Sequence, residues 1–293
     1  LRYDTGAHPR NSRRGKEAPH PEQEIVKKII FLLLLLTQCL LAKNFVRIVS
    51  LGPYITENLY LLGIKDEIVG VTIHETPEIK KGKTIIGTLL EPNIEAIAAL
   101  KPDIVLASKE GNRKISVEKI KKLGIRVETL DEVKSFSDLN RNFIRLGKLF
   151  GMEKEAKDIV ANIKTRLENV SLKGKGAYPK VFWQLGIKPI ITVGRDTLYS
   201  ELISVSGGIN LFGDIKRKYI SVSAEEVVKR NPDIIIVVGM GEKEEAVKYW
   251  QQFPVVKAVS NNRVFYMEDT QFCSPTPQTY LENVLQLIPL FNK

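Results

Sequence analysis

Short β-rich runs alternate with helical periods along most of the chain. "VRIVS" (46–50), "EIVGV" (67–71), "DIVLA" (103–107) and "IRVET" (125–129) are rich in β-branched residues, which predicts strands. Between them, "TENLYLLG" (56–63), "NIEAIAAL" (93–100) and "SVEKIKKLG" (116–124) carry the apolar spacing of helices. Gly63 and Gly124 stand where a helix-ending glycine belongs. The same grammar restarts after residue 178. "KVFWQ" (180–184), "DIIIVV" (233–238) and "RVFYM" (263–267) predict strands, and "TLYSELISVSGG" (197–208) and "SAEEVVKR" (223–230) predict helices. Such alternation points to α/β layers with mainly parallel sheets.

The two halves also match residue by residue. "NIEAIAALKPDIVLA" begins at Asn93 and "SAEEVVKRNPDIIIV" at Ser223, an offset of 130 that pairs Glu95 with Glu225, Pro102 with Pro232 and Asp103 with Asp233. Proline cannot continue a helix, so each copy predicts a capped helix, a Pro-Asp turn and a buried strand. Between the halves, "MEKEAKDIVANIKTRLENV" (152–170) has apolar positions at 156, 159, 160, 163, 167 and 170, the stripe of a helix about 27 Å long. The expected architecture is two Rossmann-like α/β lobes joined by a single long helix, with a ligand cleft between them. Its expected divisions are 1–42 (preface and signal), 43–150 (first lobe), 151–172 (linking helix) and 173–293 (second lobe). A helical link is stiffer than a Gly/Ser linker, so the cleft should open and close only slightly.

One run breaks this pattern. "IIFLLLLLTQCLLA" (29–42) is apolar on all sides and too short for a spanning helix of about 20 residues. With Lys27 and Lys28 ahead of it, it matches the charged and apolar regions of a secretion signal. Residues 1–26 are polar and lack an apolar period, so translation is expected to start at Val26. "LTQC" resembles a lipobox, which would make Cys39 a lipidated N-terminus; cleavage after Ala42 is the rival exit. An exported product follows, in the periplasm or on the outer face of the cytoplasmic membrane.

The formal net charge is +10, of which residues 1–42 carry +3. The rest is spread along the chain, which argues against nucleic-acid binding. Of two cysteines only Cys273 lies beyond the signal, so no disulfide framework forms. Beyond it His74 is the only histidine, which excludes a His-rich metal site.

"RIVSLGPYITENLYLLG" (47–63), "IIGTLLEPNIEAIAALKPDIVLAS" (85–108), "PIITVGRDTLYSELISVSGGINLF" (189–212) and "ISVSAEEVVKRNPDIIIV" (220–237) occur in order. Together they resemble the helix-linked, class III periplasmic substrate-binding proteins of ABC importers, which carry cobalamin, ferric siderophores or haem. "VFWQLGIKP" (181–189) is similar to the cobalamin-binding branch, whereas "MEDTQFCSPTP" (267–277) lacks the arginine found there. The resemblance implies a monomeric carrier, not an enzyme, with no cofactor of its own. Its implied cargo is a corrinoid or iron chelate, and its implied partners are ABC permease subunits. A lipidated Cys39 would add peripheral membrane attachment. It further implies that Glu95 and Glu225 dock into arginine pockets of the permease. Both glutamates also fall in a first helical turn, behind Asn93 and Ser223, where a carboxylate is favoured locally. Ser223 with Glu226 spells a capping box.

Open α/β sheets bind ligands beyond the carboxyl ends of their strands. Candidates there are Pro53, Tyr54, His74, Gly87, Thr88, Ser108 to Glu110, Trp183, Gln184, Arg195, Tyr199 and Asp269 to Phe272, with Thr270 and Phe272 the chief positions of the last loop. Aromatic rings suit a flat tetrapyrrole or catecholate, and His74 is a candidate axial ligand for haem iron or cobalt. Two rivals stand. "SLGPYIT" (50–56) opening a helix could cradle molybdate or tungstate. A two-lobed enzyme is weaker, because "GKT" (82–84) has Pro77 where a phosphate loop needs glycine.

Overall fold

Parallel strands buried on both faces need helices on both sides, and that requirement organises the chain. The computed structural model describes residues 46–171, 178–239, 243–268 and 272–292; the signal run, Cys39 and Thr270 lie outside them. The first half contains β1 (Ile48–Ser50), α1 (Pro53–Leu61), β2 (Ile68–Val71), α2 (Pro77–Lys80), β3 (Thr84–Ile85), α3 (Ile94–Ala99), β4 (Ile104–Ser108), α4 (Lys114–Lys122), β5 (Val127–Leu130), α5 (Phe136–Leu149) and α6 (Glu153–Ser171). The second contains β6 (Lys180–Ile187), β7 (Ile190–Val193), α7 (Leu198–Val205), β8 (Ile209–Asn210), β9 (Tyr219–Ser221), α8 (Ala224–Arg230), β10 (Ile234–Gly239), α9 (Lys243–Gln251), α10 (Lys257–Ser260), β11 (Val264–Glu268) and α11 (Pro277–Phe291).

The first sheet has the order β3-β2-β1-β4-β5, with every pairing parallel. The second has the order β11-β10-β6-β7-β9, with β8 beside β6 and with β7 antiparallel to both neighbours. Alternating residues of each strand feed opposite cores, as the pleat requires. Ile48, Ile104 and Leu106 pack towards α1, α5 and α6, whereas Val49, Val105 and Ala107 pack towards α3 and α4. In the second sheet Trp183, Ile234 and Ile236 pack with α7 and α11, whereas Phe182, Ile235 and Val237 pack with α8 and Trp250.

The 130-residue repeat holds at the level of single hydrogen bonds. Lys101 and Asn231 both leave their helices with positive φ, 46° and 48°. Asp103 Oδ2 accepts the Arg47 N–H at 2.7 Å, and Asp233 Oδ2 accepts the Lys180 N–H at 2.9 Å. Each Asp N–H in turn donates to the carbonyl of the same strand residue, Arg47 or Lys180, at 2.9 Å. Each aspartate therefore clasps the start of its own strand to the start of the neighbouring one. The capping box is only half formed. Ser223 accepts the Glu226 N–H, but the Glu226 carboxylate pairs with Arg230 one turn later at 2.8 Å. That i,i+4 partner is a cation, which outcompetes a neutral backbone N–H.

The link between the sheets departs from a lone rod. The predicted α6 forms, with Ala156, Val160 and Ile163 buried, but it packs along both α5 and α11. The sequence reading did not anticipate α5, which starts at the Ser135 cap. Its single apolar stripe serves both sheets. Leu139 belongs to the core of the second sheet, while Phe143 and Leu146 belong to that of the first. Phe136 stacks on Tyr280 of α11, ring centres 4.6 Å apart. The first lobe expected at 43–150 thus shares its last helix with the second. Val46–Lys293 forms one compact unit. Leu139→Ala should lower stability by about 2–5 kcal/mol in urea unfolding, because it empties a buried site shared by both halves. A loss below about 0.5 kcal/mol would deny the shared core.

Candidate functional site

Where strand order reverses, two adjacent strand ends diverge and leave a crevice. In the first sheet the chain runs outward from β1 on one side and later from β4 on the other. A cavity of about 370 Å³ opens there, near the lower end of the range for small-molecule sites. Its wall takes Gly52, Pro53 and Tyr54 after β1, His74, Glu75 and Thr76 after β2, Ser108, Glu110 and Gly111 at β4, and Asp131 and Val133 after β5. The second half contributes Leu198 and Tyr199 of α7, Tyr219 of β9, and Cys273 to Pro275.

Buried polar groups hold this wall in place. Asn112 Nδ2 donates to the carbonyls of Leu51 and Leu89, both at 2.9 Å, and its Oδ1 accepts the Ser108 N–H at 2.8 Å. One side chain thereby ties the ends of β1 and β4 to the loop after β3. Gly87 on that loop has φ +93°, and a Cβ there would stand 2.7 Å from the Glu91 carbonyl oxygen. Asn142 of α5 donates to the Tyr54 hydroxyl at 2.9 Å and to the Asp131 carbonyl at 2.7 Å. Burial pushes the Tyr54 phenol upward, partly offset by that Asn142 bond, so the ring presents a neutral face. The Tyr199 hydroxyl donates to the Phe272 carbonyl at 3.2 Å.

Several bonds cross between the halves. The Tyr219 hydroxyl donates to Glu110 Oε1 at 3.2 Å, and Lys218 pairs with Glu132 beside it. Asn58 Nδ2 donates to the Pro275 carbonyl at 3.1 Å, and Glu201 accepts the Phe136 N–H. Of these residues Glu110, Tyr219 and Pro275 belong to the cavity wall.

The sequence candidates divide by position. Pro53, Tyr54, His74, Ser108 and Tyr199 meet at the cavity, with His74 exposed. Trp183, Gln184 and Phe272 do not reach it. Trp183 is fully buried against Tyr199, at 5.6 Å between rings, and meets Phe272 edge-on at 5.5 Å. Gln184 is also fully buried and accepts the Trp250 indole N–H at 2.8 Å. Trp183 and Gln184 lie on a central strand covered on both faces, where a side chain enters a core rather than a cleft. Thr88 caps its own turn by accepting the Glu91 N–H, and exposed Arg195 donates to the Gly213 carbonyl. Glu95 and Glu225 are exposed on α3 and α8, away from the cavity wall. Its own backbone N–H, and then Ser223, hold the Glu225 carboxylate below the usual range.

Sequence reading missed Glu57, Glu75, Asp131, Tyr219 and Cys273. Asp131 follows a predicted strand and was reachable by the strand-end rule. Glu75 gave no such signal. It is 4% exposed, its Oε1 accepts the Thr56 hydroxyl at 2.9 Å, and its Oε2 has no hydrogen-bond partner. Burial pushes its carboxyl up to about 7, opposed by Thr56, with Glu57 raising it further. Folded Glu75 therefore keeps its proton from the ordinary value of 4.5 up to about 7, while the unfolded chain loses it. Its stabilising contribution is full below pH 4.5 and is lost as pH rises to about 7. Glu75→Gln should thus gain on the wild type by roughly 2–3 kcal/mol between pH 5 and pH 8 in urea unfolding. A difference that stays flat with pH would contradict this ionisation.

Comparisons with known proteins agree with this geometry. A family model described as periplasmic binding protein matches residues 48–270. An uncharacterised ABC transporter substrate-binding lipoprotein of Bacillus subtilis is 34% identical over 75% of this chain and 71% of its own. A vitamin B12-binding protein of Vibrio cholerae is 28% identical over 87% of this chain and 93% of its own. Among solved structures, a possible iron-binding periplasmic solute-binding protein of Staphylococcus epidermidis superposes with a TM-score of 0.72 at 30% identity, covering 84% of this chain and 98% of that one. The periplasmic haem-binding protein of Vibrio cholerae superposes with a TM-score of 0.76 over 85% of this chain and 100% of that one; at 19% identity it supports the fold alone. Two sheets, a cavity at their strand ends and this match over most of the chain together place it: the protein belongs to the periplasmic binding protein family.

Proposed function

We propose that this protein captures a metal chelate outside the cytoplasmic membrane and delivers it to the permease of an ABC importer. The observation that carries the reading is the cavity at the β1/β4 switch point, walled from both halves by Tyr54, Tyr199, Tyr219 and His74. Rings of this kind shelve a planar ligand, and an imidazole can ligate its metal. Corrinoids, haem and ferric siderophores are the chelates in view, and the names of the relatives support a corrinoid or an iron cargo. His74 is the proposed axial ligand because it is exposed within the wall. No cofactor of its own enters the mechanism, and the working unit is a monomer. Lipidation at Cys39 would hold the carrier at the membrane, as the lipoprotein name of the Bacillus relative suggests. Among the described residues no helix is long and apolar enough to cross a membrane.

A molybdate or tungstate site fits the cavity less well. Glu57, Glu75, Glu110 and Asp131 line it, and no described lining residue is Lys or Arg. An oxyanion there would face carboxylates instead of donors.

Delivery rests on Glu95 and Glu225. Each is exposed in the first turn of a capped helix, and the two occupy equivalent positions of the 130-residue repeat. One carboxylate per half would set both orientation and affinity against arginines of the permease. Soaking the purified protein separately with cobalamin, haemin, a ferric siderophore and molybdate, then desalting, should leave one of the chelates bound by absorbance. Retention of molybdate alone would replace this reading. Glu95→Ala and Glu225→Ala should each cut uptake about tenfold while cargo affinity stays unchanged, since a lost charge pair of 1.4 kcal/mol is a factor of ten.

A further inference from the structure

A carboxylate accepts hydrogen bonds and, while ionised, gives none. Of the four in the cavity wall, Asp131 is paired with Lys109, and Glu110 accepts from Tyr219. Glu57 is half-buried on α1. Glu75 differs from all three: it is almost wholly buried, and its Oε2 makes no hydrogen bond of good geometry, with the buried Thr72 hydroxyl near the carboxyl and likewise unpartnered. An unpaired buried acceptor is costly, and a donor arriving with a ligand would remove that cost. The wall around it is acidic, and none of its described residues is Lys or Arg.

Resting on the chelate reading above, we infer that Glu75 reads the chemistry of the cargo. Its Oε2 accepts a hydrogen bond from an amide or ammonium group on the ligand, and the surrounding carboxylates turn away chelates fringed with anionic groups. Glu75 occupies the loop that also carries His74, and Thr56 of α1 holds that loop through Oε1. Donor recognition and any metal ligation by His74 therefore share one anchored segment. The charged and titratable groups facing Glu75 are Glu57 and Tyr60 on α1, His74 in its own loop and Lys80 on α2. Glu57 and Tyr60 add no positive charge. Lys80 donates to the Ile73 carbonyl and is absent from the cavity wall.

The test is equilibrium binding to the purified protein, read by quenching of its intrinsic fluorescence. Three probes are compared: diaquocobinamide, a cation fringed with primary amides; haemin, which carries two carboxylates; and a ferric tricatecholate, which is an anion. The wild type should bind cobinamide at least tenfold more tightly than either anion. Glu75→Gln keeps the size of the side chain and an oxygen for Thr56. It should weaken cobinamide at least tenfold without lowering the unfolding midpoint. The variant retains His74, Glu57, Tyr60 and Lys80, so the difference in cobinamide affinity belongs to Glu75. Tighter binding of haemin or the tricatecholate by the wild type would overturn this inference and leave the chelate reading intact. So would unchanged cobinamide affinity in the variant. Binding of none of the three would overturn the chelate reading and this inference with it.

Discussion

The structure depends on one apolar stripe that cannot be satisfied by either half alone. Along α5, Leu139 is buried in the core of the second sheet, and Phe143 and Leu146 are buried in that of the first. Side chains three and four residues apart share a helix face, so one rigid rod is nailed into both cores. The stacking of Phe136 on Tyr280 and the packing of α6 beside α5 and α11 extend the same layer. Burial here is worth kilocalories per side chain, whereas the exposed ion pairs along α6 are worth little. The halves are held at a set distance by packing, and the cavity inherits its width from that.

The wall of the cavity follows from this arrangement. Tyr54 is oriented from α5 by Asn142, so the same helix that joins the halves also positions a ring of the site. Tyr199 is backed by Trp183 and Phe272, which act as a buried platform beneath it. The bond of Tyr219 to Glu110 is exposed, and Lys218 and Glu132 pair half-buried beside it. The acidic wall then acts on whatever enters, because charges count for more where water is excluded.

Much of the frame was legible in the chain itself. The strands, the capped helices and the long α6 follow from apolar periods of two and 3.6 residues. The 130-residue repeat predicted two equivalent corners, and Asp103 and Asp233 make the same pair of bonds to Arg47 and Lys180. That repeat also placed Glu95 and Glu225 at equivalent helix starts. Such features are local: a cap, a turn or a strand edge involves residues close in sequence, or one strand pairing.

What the sequence by itself determined was therefore the alternation of the main strands and helices, the two-sheet plan and the strand ends at which Pro53, Tyr54, His74, Ser108 and Tyr199 could meet. Tertiary structure decided which strand-end residues face inward. Trp183 and Gln184 sit on a strand buried on both faces, so the pleat sends them into opposite cores and away from the cavity. Tertiary structure also created the acidic wall. Glu57, Glu75, Glu110 and Asp131 come from separate elements of the first half and meet only when β1, β2, β4 and β5 align. The carboxyl of Glu75 illustrates the reason most plainly. Its burial and its raised proton affinity come from neighbours that the fold supplies, Thr56 and Glu57 on α1, and no pattern along the chain announces a desolvated group.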